Sequence, residues 1–192
     1  MLQALYCIFL LASTVEAAMP ELRGVNLVTG DTVNQVSMVK QSRGTVVVFL
    51  SARCPCSNSH VALIKKMYSE FSDFTFVGIH ANANESIEES RKYFKENAFQ
   101  FPVLEDVKSA LADHFKAFKT PHVFVVDNSG QVIYKGGITN SSVAADSDRN
   151  YLREALEDIR KGQAVRTPEG RTLGCAISRG KNEGFFTHFL KK

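Results

Sequence analysis

Two cysteines separated by a single proline, Cys54 and Cys56, are the residues of this chain best suited to redox chemistry. They follow the apolar, β-branched run Thr45–Val48, which predicts a buried central strand. After them, apolar residues recur at helical spacing to near Phe71, so the pair falls where a core strand ends and a helix begins. The free N–H groups and the positive dipole end of a helix N-terminus favour a thiolate, and the thiolate is the nucleophilic form of cysteine. We therefore predict that Cys54 is a redox-active nucleophile.

A second cysteine is needed to release a bond made by the first, and the sequence leaves its identity open. Residues two apart on an α-helix point in directions about 200° apart, so Cys54 and Cys56 pair only if Pro55 holds them in an extended or turn-like entry. Cys175 is the alternative, because the entropy of closing a long loop grows only slowly with its length. The sequence is compatible with a Cys54–Cys56 disulfide and with a disulfide that includes Cys175. Cys56 as a buried apolar residue and Cys175 as a bystander thiol also remain open.

Length and charge limit the classes of function. The chain has 192 residues, which is enough for one domain with a substantial core. The net charge of +3 is small and its basic residues are scattered, so neither nucleic acid nor a membrane surface is predicted as a partner. No cofactor and no resident metal are predicted.

Residues 1–17 have the pattern of a secretion signal. Leu2–Ala12 is strongly apolar but too short to span a bilayer, and Val15–Ala17 resembles a small-residue cleavage site. We predict cleavage after Ala17, export to the periplasm or another extracytoplasmic compartment, and no stable membrane span in the mature chain. Cleavage would leave three of the four cysteines, and an odd count in an exported protein indicates a free or exchanging thiol.

Strand and helix patterns alternate along the rest of the chain. Further buried strands are predicted at 74–79 and 122–127, and further helices at 87–97, 111–118 and 152–159. A hairpin is predicted within residues 24–36, and a second hairpin within residues 122–134. This order predicts an α/β fold with a mixed central sheet and helices on both faces. We place the domain at residues 18–162 and an irregular C-terminal tail carrying Cys175 at residues 163–192.

Three local features, in this order, resemble the thioredoxin superfamily, and specifically its redoxin and TlpA-like branch related to the peroxiredoxins. They are the strand-to-helix segment at Cys54, Thr120-Pro121 leading into a strand, and Asn128-Ser129-Gly130 leading into another. The resemblance covers residues 20–162 and implies a three-layer thioredoxin-like fold with the N-terminal hairpin typical of that branch. It also implies that Pro121 is a cis-proline facing Cys54, and that Thr120 and Pro121 offer backbone groups to a substrate.

The cysteine segment departs from both parent patterns. Thioredoxins carry Cys-x-x-Cys, whereas this chain has Ser57 at the fourth position. Peroxiredoxins place a threonine or serine three residues before the attacking cysteine, which Ser51 matches, and a proline seven before it, where this chain has Val47. Ser51 and Arg53 are predicted to contact substrate. Arg53 either stabilises the Cys54 thiolate electrostatically or is solvated.

Three functions are compatible with these features. The first is an exported thiol–disulfide oxidoreductase, in which Cys54 attacks the disulfide of a partner protein and an envelope thiol reductant restores the enzyme. The second is an antioxidant thiol peroxidase, in which peroxide oxidises Cys54 to a sulfenic acid. The third, by resemblance to Sco-type copper chaperones of this fold, is Cu(I) binding by Cys54, Cys56 and His122, although packing is the favoured role for His122. His60, on the first helix, is predicted to face solvent.

Overall fold

A computed structural model describes residues 19–37 and 41–180. The predicted secretion signal at residues 1–17 and the last part of the predicted tail lie outside the described residues. Within the described ranges, no helix is both long enough and apolar enough to cross a membrane.

The core of the molecule is a five-stranded mixed sheet flanked by helices. The strands in chain order are β1 Gly24–Val25, β2 Thr32–Val33, β3 Thr45–Leu50, β4 Thr75–His80, β5 Val103–Glu105, β6 Lys119–Thr120, β7 His122–Val126, β8 Val132–Gly136 and β9 Cys175–Ala176. The helices are α1 Pro55–Glu70, α2 Ile87–Glu96, α3 Ala110–His114 and α4 Tyr151–Arg160. The order in the central sheet is β5-β4-β3-β7-β8. β3 lies in the middle, parallel to β4 and antiparallel to β7, and all six of its residues are buried. The predicted central strand and mixed sheet are confirmed.

Side chains that alternate along β3 divide the core between the two faces of the sheet. Val46 and Val48 pack with residues of α1, α2 and α4, including Ile64 and Leu152. Val47 and the side chains that share its face pack with α3 and the N-terminal segment. Because successive side chains of a strand point to opposite faces, one apolar run supplies both layers. The predicted three-layer α/β fold, with helices on both faces, is confirmed.

Element boundaries differ from the sequence prediction in two places. The N-terminal hairpin is present, but its paired strands are only two residues each, and residues 26–31 connect them. The helix predicted at 111–118 is shorter, because α3 ends at His114 and Lys116 adopts a left-handed φ of 54°. Phe118, which fits the helical period, is half exposed. The apolar period therefore continues past the point where the backbone leaves the helix.

The sequence predicts an irregular C-terminal tail. The structure corrects this for the described part of the tail, where Cys175–Ala176 forms strand β9. β9 pairs antiparallel with β6, with Thr120 opposite Cys175. Next to the strand, the backbone N–H of Ile177 donates to the carbonyl oxygen of Phe118 at 3.0 Å, and the Ile177 side chain is buried in the core on the α3 face. The tail thus lies across the domain and delivers Cys175 to a defined position.

Candidate redox site

Cys54 is the N-cap of α1, at the carboxyl end of the central strand. Its backbone is extended, with φ −76° and ψ 114°, and Pro55 is the first helical residue. Proline suits this position because its missing N–H would have no helical partner and its φ is already helical. The Cys54 sulfur accepts a hydrogen bond from the backbone N–H of Ser57 at 3.5 Å. Cys54 therefore does for this helix what a serine or aspartate usually does, and its sulfur lies at the positive end of the helix.

The loop between β6 and β7 faces this sulfur. The Thr120–Pro121 peptide bond is cis, as the resemblance implies. The carbonyl oxygen of Thr120 lies 3.0 Å from the Cys54 sulfur and accepts its hydrogen bond when the thiol is protonated. Thr120 is buried, and its hydroxyl forms no hydrogen bond of ordinary geometry. The strand end, the helix start and the proline loop thus meet at one sulfur atom.

Cys175 reaches the same point from the tail. Its sulfur lies 2.7 Å from that of Cys54, and all three sulfurs, including that of Cys56, lie within 4.8 Å of one another. The three cysteines are free thiols in this structure. Cys56 is the second residue of α1 and therefore helical, so Pro55 does not provide the extended entry that a Cys54–Cys56 bond needs. The geometry favours Cys175 as the partner of Cys54.

The three thiols differ in their tendency to ionise. Burial raises the pKa of Cys54, but hydrogen bonds from Cys175 and from the Ser57 N–H are the main effects that outweigh it, and the pKa falls below the ordinary value. Burial and then the nearby charge of Cys54 raise the pKa of Cys56. Burial and its hydrogen bond to Cys54 raise the pKa of Cys175. Of the three thiols, Cys54 is therefore the one whose surroundings favour the thiolate, with Cys175 placed to donate a hydrogen bond to it.

A buried carboxylate, Glu85, organises the loop that carries Cys54, and sequence reasoning missed it. Its oxygens accept hydrogen bonds from the Ser51 hydroxyl at 2.5 Å, from the Ala52 N–H at 2.8 Å and from the ring of His80 at 3.1 Å. Ser51 Oγ in turn accepts from the Cys54 N–H at 3.0 Å. Burial raises the pKa of Glu85, but these donors outweigh burial and lower it. No local signal marks Glu85, because its partners at Ser51 and Ala52 lie more than 30 positions away.

Ser51 and Arg53, which are predicted to contact substrate, both have hydrogen-bond partners within the chain. The only proton of the Ser51 hydroxyl goes to Glu85, so the group supports the loop. The Arg53 guanidinium forms a solvent-exposed ion pair with Glu89, at 2.5 Å, and also donates to the Asn84 carbonyl. The hydrogen bonds from Cys175 and the Ser57 N–H are the main causes that lower the pKa of Cys54.

Besides His80, the histidines His60 and His122 are buried. His60 does not face solvent, which corrects the sequence prediction, because its ring bonds to the Thr139 hydroxyl at 2.9 Å and to the Cys56 carbonyl at 2.8 Å. His122 is packed against Phe118 and Phe124. Among the described residues, the cluster of possible metal-ligating groups contains the three cysteines and not His122. The Cys54–Cys56–His122 ligand set is therefore not assembled.

Comparisons with known proteins agree with this architecture. A family model described as thioredoxin-like matches residues 43–132, which include Cys54 and Pro121 but not Cys175. A search of curated proteins finds no sequence match. An uncharacterized conserved protein from Geobacillus kaustophilus has a similar structure, with a TM-score of 0.75 and 22% identity, over 86% of this chain and 92% of that one.

Two further solved structures are of proteins that are named for redox functions. A thiol-disulfide oxidoreductase from Bacteroides fragilis has a TM-score of 0.52 and 15% identity, over 62% of this chain and 89% of that one. A peroxidoxin from Mycobacterium tuberculosis has a TM-score of 0.54 and 18% identity, over 76% of this chain and 95% of that one. These likenesses concern the fold.

Proposed function

We propose that this chain, which belongs to the thioredoxin superfamily, is a thiol–disulfide oxidoreductase with Cys54 as nucleophile and Cys175 as resolving cysteine. The observation that carries the proposal is the 2.7 Å separation of these two sulfurs at the N-terminus of α1, beside Pro121. The lowered pKa of Cys54 and the raised pKa of Cys175 support this division of roles. The protein acts outside the cytoplasm, on a disulfide-bearing partner protein.

In the first step, the Cys54 thiolate attacks one sulfur of a substrate disulfide. A Cys54–substrate mixed disulfide forms, the substrate S–S bond breaks, and the other substrate sulfur leaves as a thiolate that takes a proton from solvent. The backbone of Thr120 lies at the sulfur and is suited to hold the substrate chain beside it. Attack by Cys54 is favoured because its pKa is lowered by hydrogen bonds, whereas the pKa values of its two neighbouring thiols are raised.

In the second step, Cys175 loses its proton and attacks the Cys54 sulfur. The Cys54–Cys175 disulfide forms and the second substrate thiolate leaves, so two electrons have passed from the protein to the substrate. When Cys54 becomes bonded to substrate, it no longer carries a thiolate charge. The charge and hydrogen bond that raise the pKa of Cys175 are then removed, and deprotonation becomes easier. An extracytoplasmic thiol reductant returns the disulfide to two thiols.

Three single variants test the assignment in an insulin-type disulfide reduction assay. Cys54→Ser abolishes turnover, and Cys175→Ser stops the reaction at a mixed disulfide that denaturing non-reducing electrophoresis detects. Cys56→Ser, the matched control in the same cluster, retains turnover. If Cys54→Ser stays active, or if Cys56→Ser and not Cys175→Ser accumulates the mixed disulfide, the proposal is wrong.

The peroxidase alternative receives less support from the site. A peroxide needs hydrogen-bond donors at the attacking sulfur, but the Ser51 hydroxyl donates to Glu85 and the Arg53 guanidinium is paired with Glu89. We expect peroxide to oxidise Cys54 no faster than an ordinary thiolate. Stopped-flow measurement on the reduced protein distinguishes the two functions, since rapid saturable peroxide consumption would favour the peroxidase.

A further inference from the structure

The nucleophile is covered by the tail that supplies its partner. Cys54 is 1% exposed, whereas both residues of β9, Cys175 and Ala176, are exposed. β9 pairs with β6 by backbone hydrogen bonds, with Cys175 opposite Thr120. A substrate that approaches Cys54 from the side of Thr120 therefore meets β9 first.

β9 fits its place through a residue without a side chain. A Cβ atom built on Gly174 would clash with the carbonyl oxygen of Thr120, and it would also lie 3.2 Å from the backbone nitrogen of Pro121. The backbone of the tail thus packs directly on the proline loop. Any residue other than glycine before the cysteine would push the backbone of the strand or of the proline loop out of place.

On the C-terminal side of this strand, residues 177–179 are fastened by one buried side chain, by backbone hydrogen bonds, and by Arg179, which donates to the Ala117 carbonyl and forms an exposed ion pair with Asp113. Ile177 buries its side chain in the core, and the Ser178 N–H donates to Asn82 Oδ1 at 2.9 Å. The Ala83 N–H donates to the Ser178 carbonyl at 2.7 Å. Segments held by few buried contacts open at lower free energy than the core of a protein. β9 is therefore able to open without unfolding the sheet.

We propose that β9 is a strap that occupies, within the same chain, the docking edge for an extended, cysteine-bearing strand of the partner protein. This inference rests on the proposed function. Exposed strand edges bind extended peptides by adding a strand, with affinity from main-chain hydrogen bonds. When β9 leaves, the edge of β6 becomes free beside an uncovered Cys54. The partner strand that replaces β9 has a glycine before its reactive cysteine, as Gly174-Cys175 has, and β9 returns when Cys175 resolves the bond.

The test uses the full-length chain with Cys56→Ser and Cys175→Ser, so that Cys54 is the only cysteine in the domain to react. Gly174→Ala and Ile177→Ala are each added to loosen the strap. Gly180→Ala is the matched control, because a Cβ there has only an ordinary contact, at 3.6 Å from the Ala83 side chain. Circular dichroism establishes that each variant is folded.

Two rates are measured by mass spectrometry on the Cys54 peptide. Iodoacetamide alkylation is followed against pH, and its plateau at high pH is compared, since the plateau reports access and not ionisation. Trapping of a peptide disulfide containing Gly-Cys is compared with trapping of the same peptide containing Val-Cys. We expect both strap variants to raise the alkylation plateau and the Gly-Cys trapping rate about tenfold, which corresponds to about 1.4 kcal/mol of easier opening, while Gly180→Ala changes neither.

Unchanged alkylation plateaus in both strap variants would overturn the proposal that β9 is a strap. Equal trapping rates for the two peptides would overturn the predicted substrate preference. If the plateaus rise but Cys54 reacts with neither peptide disulfide, the strap stands and the proposed oxidoreductase function fails. The two failures are therefore distinguishable.

Discussion

The sulfurs of Cys54 and Cys175 lie 2.7 Å apart, although 121 positions separate the two residues in the chain. The separation is maintained from both sides: Cys54 is fixed as the cap of α1, and Cys175 is fixed by strand pairing with Thr120. The proposed reactive pair is thus formed by two elements far apart in sequence, and Cys56, the nearer cysteine in the chain, is the third member of the cluster.

The hydrogen bond from Cys175 is expected to control the ionisation of Cys54. Because the folded pKa of Cys54 is lowered from 9.0, its alkylation rate rises with pH through a midpoint below 9.0. Cys175→Ala removes the hydrogen-bond donor that lowers this pKa most and moves the midpoint upward. Rates of Cys54 alkylation between pH 5 and 11 measure the effect, with Cys56→Ala as the control that shifts the midpoint less. A midpoint that does not move in Cys175→Ala would contradict the assignment.

Glu85 is expected to stabilise the fold through the loop that carries Cys54. Glu85→Gln places an amide among groups that donate to a carboxylate, and we expect the free energy of unfolding at pH 7 to fall by about 1–3 kcal/mol. The folded pKa of Glu85 is lowered, so its contribution is complete above 4.5 and is lost as pH falls through the folded value.

The difference in the free energy of unfolding between wild type and Glu85→Gln should therefore become smaller in acid, as measured by urea unfolding at several pH values. Glu89→Gln is the control, because the exposed ion pair of Glu89 with Arg53 contributes little. A difference independent of pH would mean that Glu85 does not act through its charge.

His122 is expected to weaken the fold in mild acid. Burial first, and then the positive charge of Lys135, lower the pKa of His122 to about 4. The unfolded chain binds this proton near pH 6.5 and the folded protein does not, so the stability present above 6.5 is lost as pH falls toward 4. His122→Phe keeps the aromatic packing and removes the titration, and ring atom Nδ1 has no hydrogen-bond partner to lose.

Thermal unfolding of the two proteins between pH 7 and pH 4 measures this contribution, which we expect to be on the order of 1–3 kcal/mol at the acid end. His114→Gln, at an exposed position, should leave the pH dependence unchanged. Identical profiles for wild type and His122→Phe would show that His122 takes up its proton without unfolding.

His60 is expected to hold α1 against the loop that contains Thr139. His60→Ala removes a buried ring together with its hydrogen bonds to the Thr139 hydroxyl and the Cys56 carbonyl, so we expect a loss of about 1–3 kcal/mol in the free energy of unfolding. Lys66→Ala, a substitution at an exposed position of the same helix, is the control for helix propensity. Equal effects of the two substitutions in urea unfolding would argue against this role.

Local patterns predicted the core of the fold well. β3 and α2 appear where the apolar pattern predicted them, and Ser86 caps α2 by accepting from the Glu89 N–H. These elements are determined by short-range features, namely β-branched runs, helical spacing and a capping side chain. The position of Cys54 at the start of α1 follows from the same features.

The rest of the site depends on contacts between distant segments, which no local pattern records. Glu85 meets Ser51 across 34 positions, and His60 meets Thr139 across 79. β9 is only two residues long and is formed by pairing with β6 and not by its own apolar period. Sequence reasoning therefore left the choice between Cys56 and Cys175 open, and the 2.7 Å distance between the Cys54 and Cys175 sulfurs is what supports the proposal of Cys175.

The most direct test of this account is a non-reducing peptide map of the oxidised, full-length protein. Proteolysis followed by mass spectrometry identifies which two sulfurs are joined after one turnover with a disulfide substrate. The account predicts a cross-linked pair of peptides that contain Cys54 and Cys175, with Cys56 free to react with an alkylating agent. A disulfide between Cys54 and Cys56 within a single peptide, with Cys175 free, would contradict it.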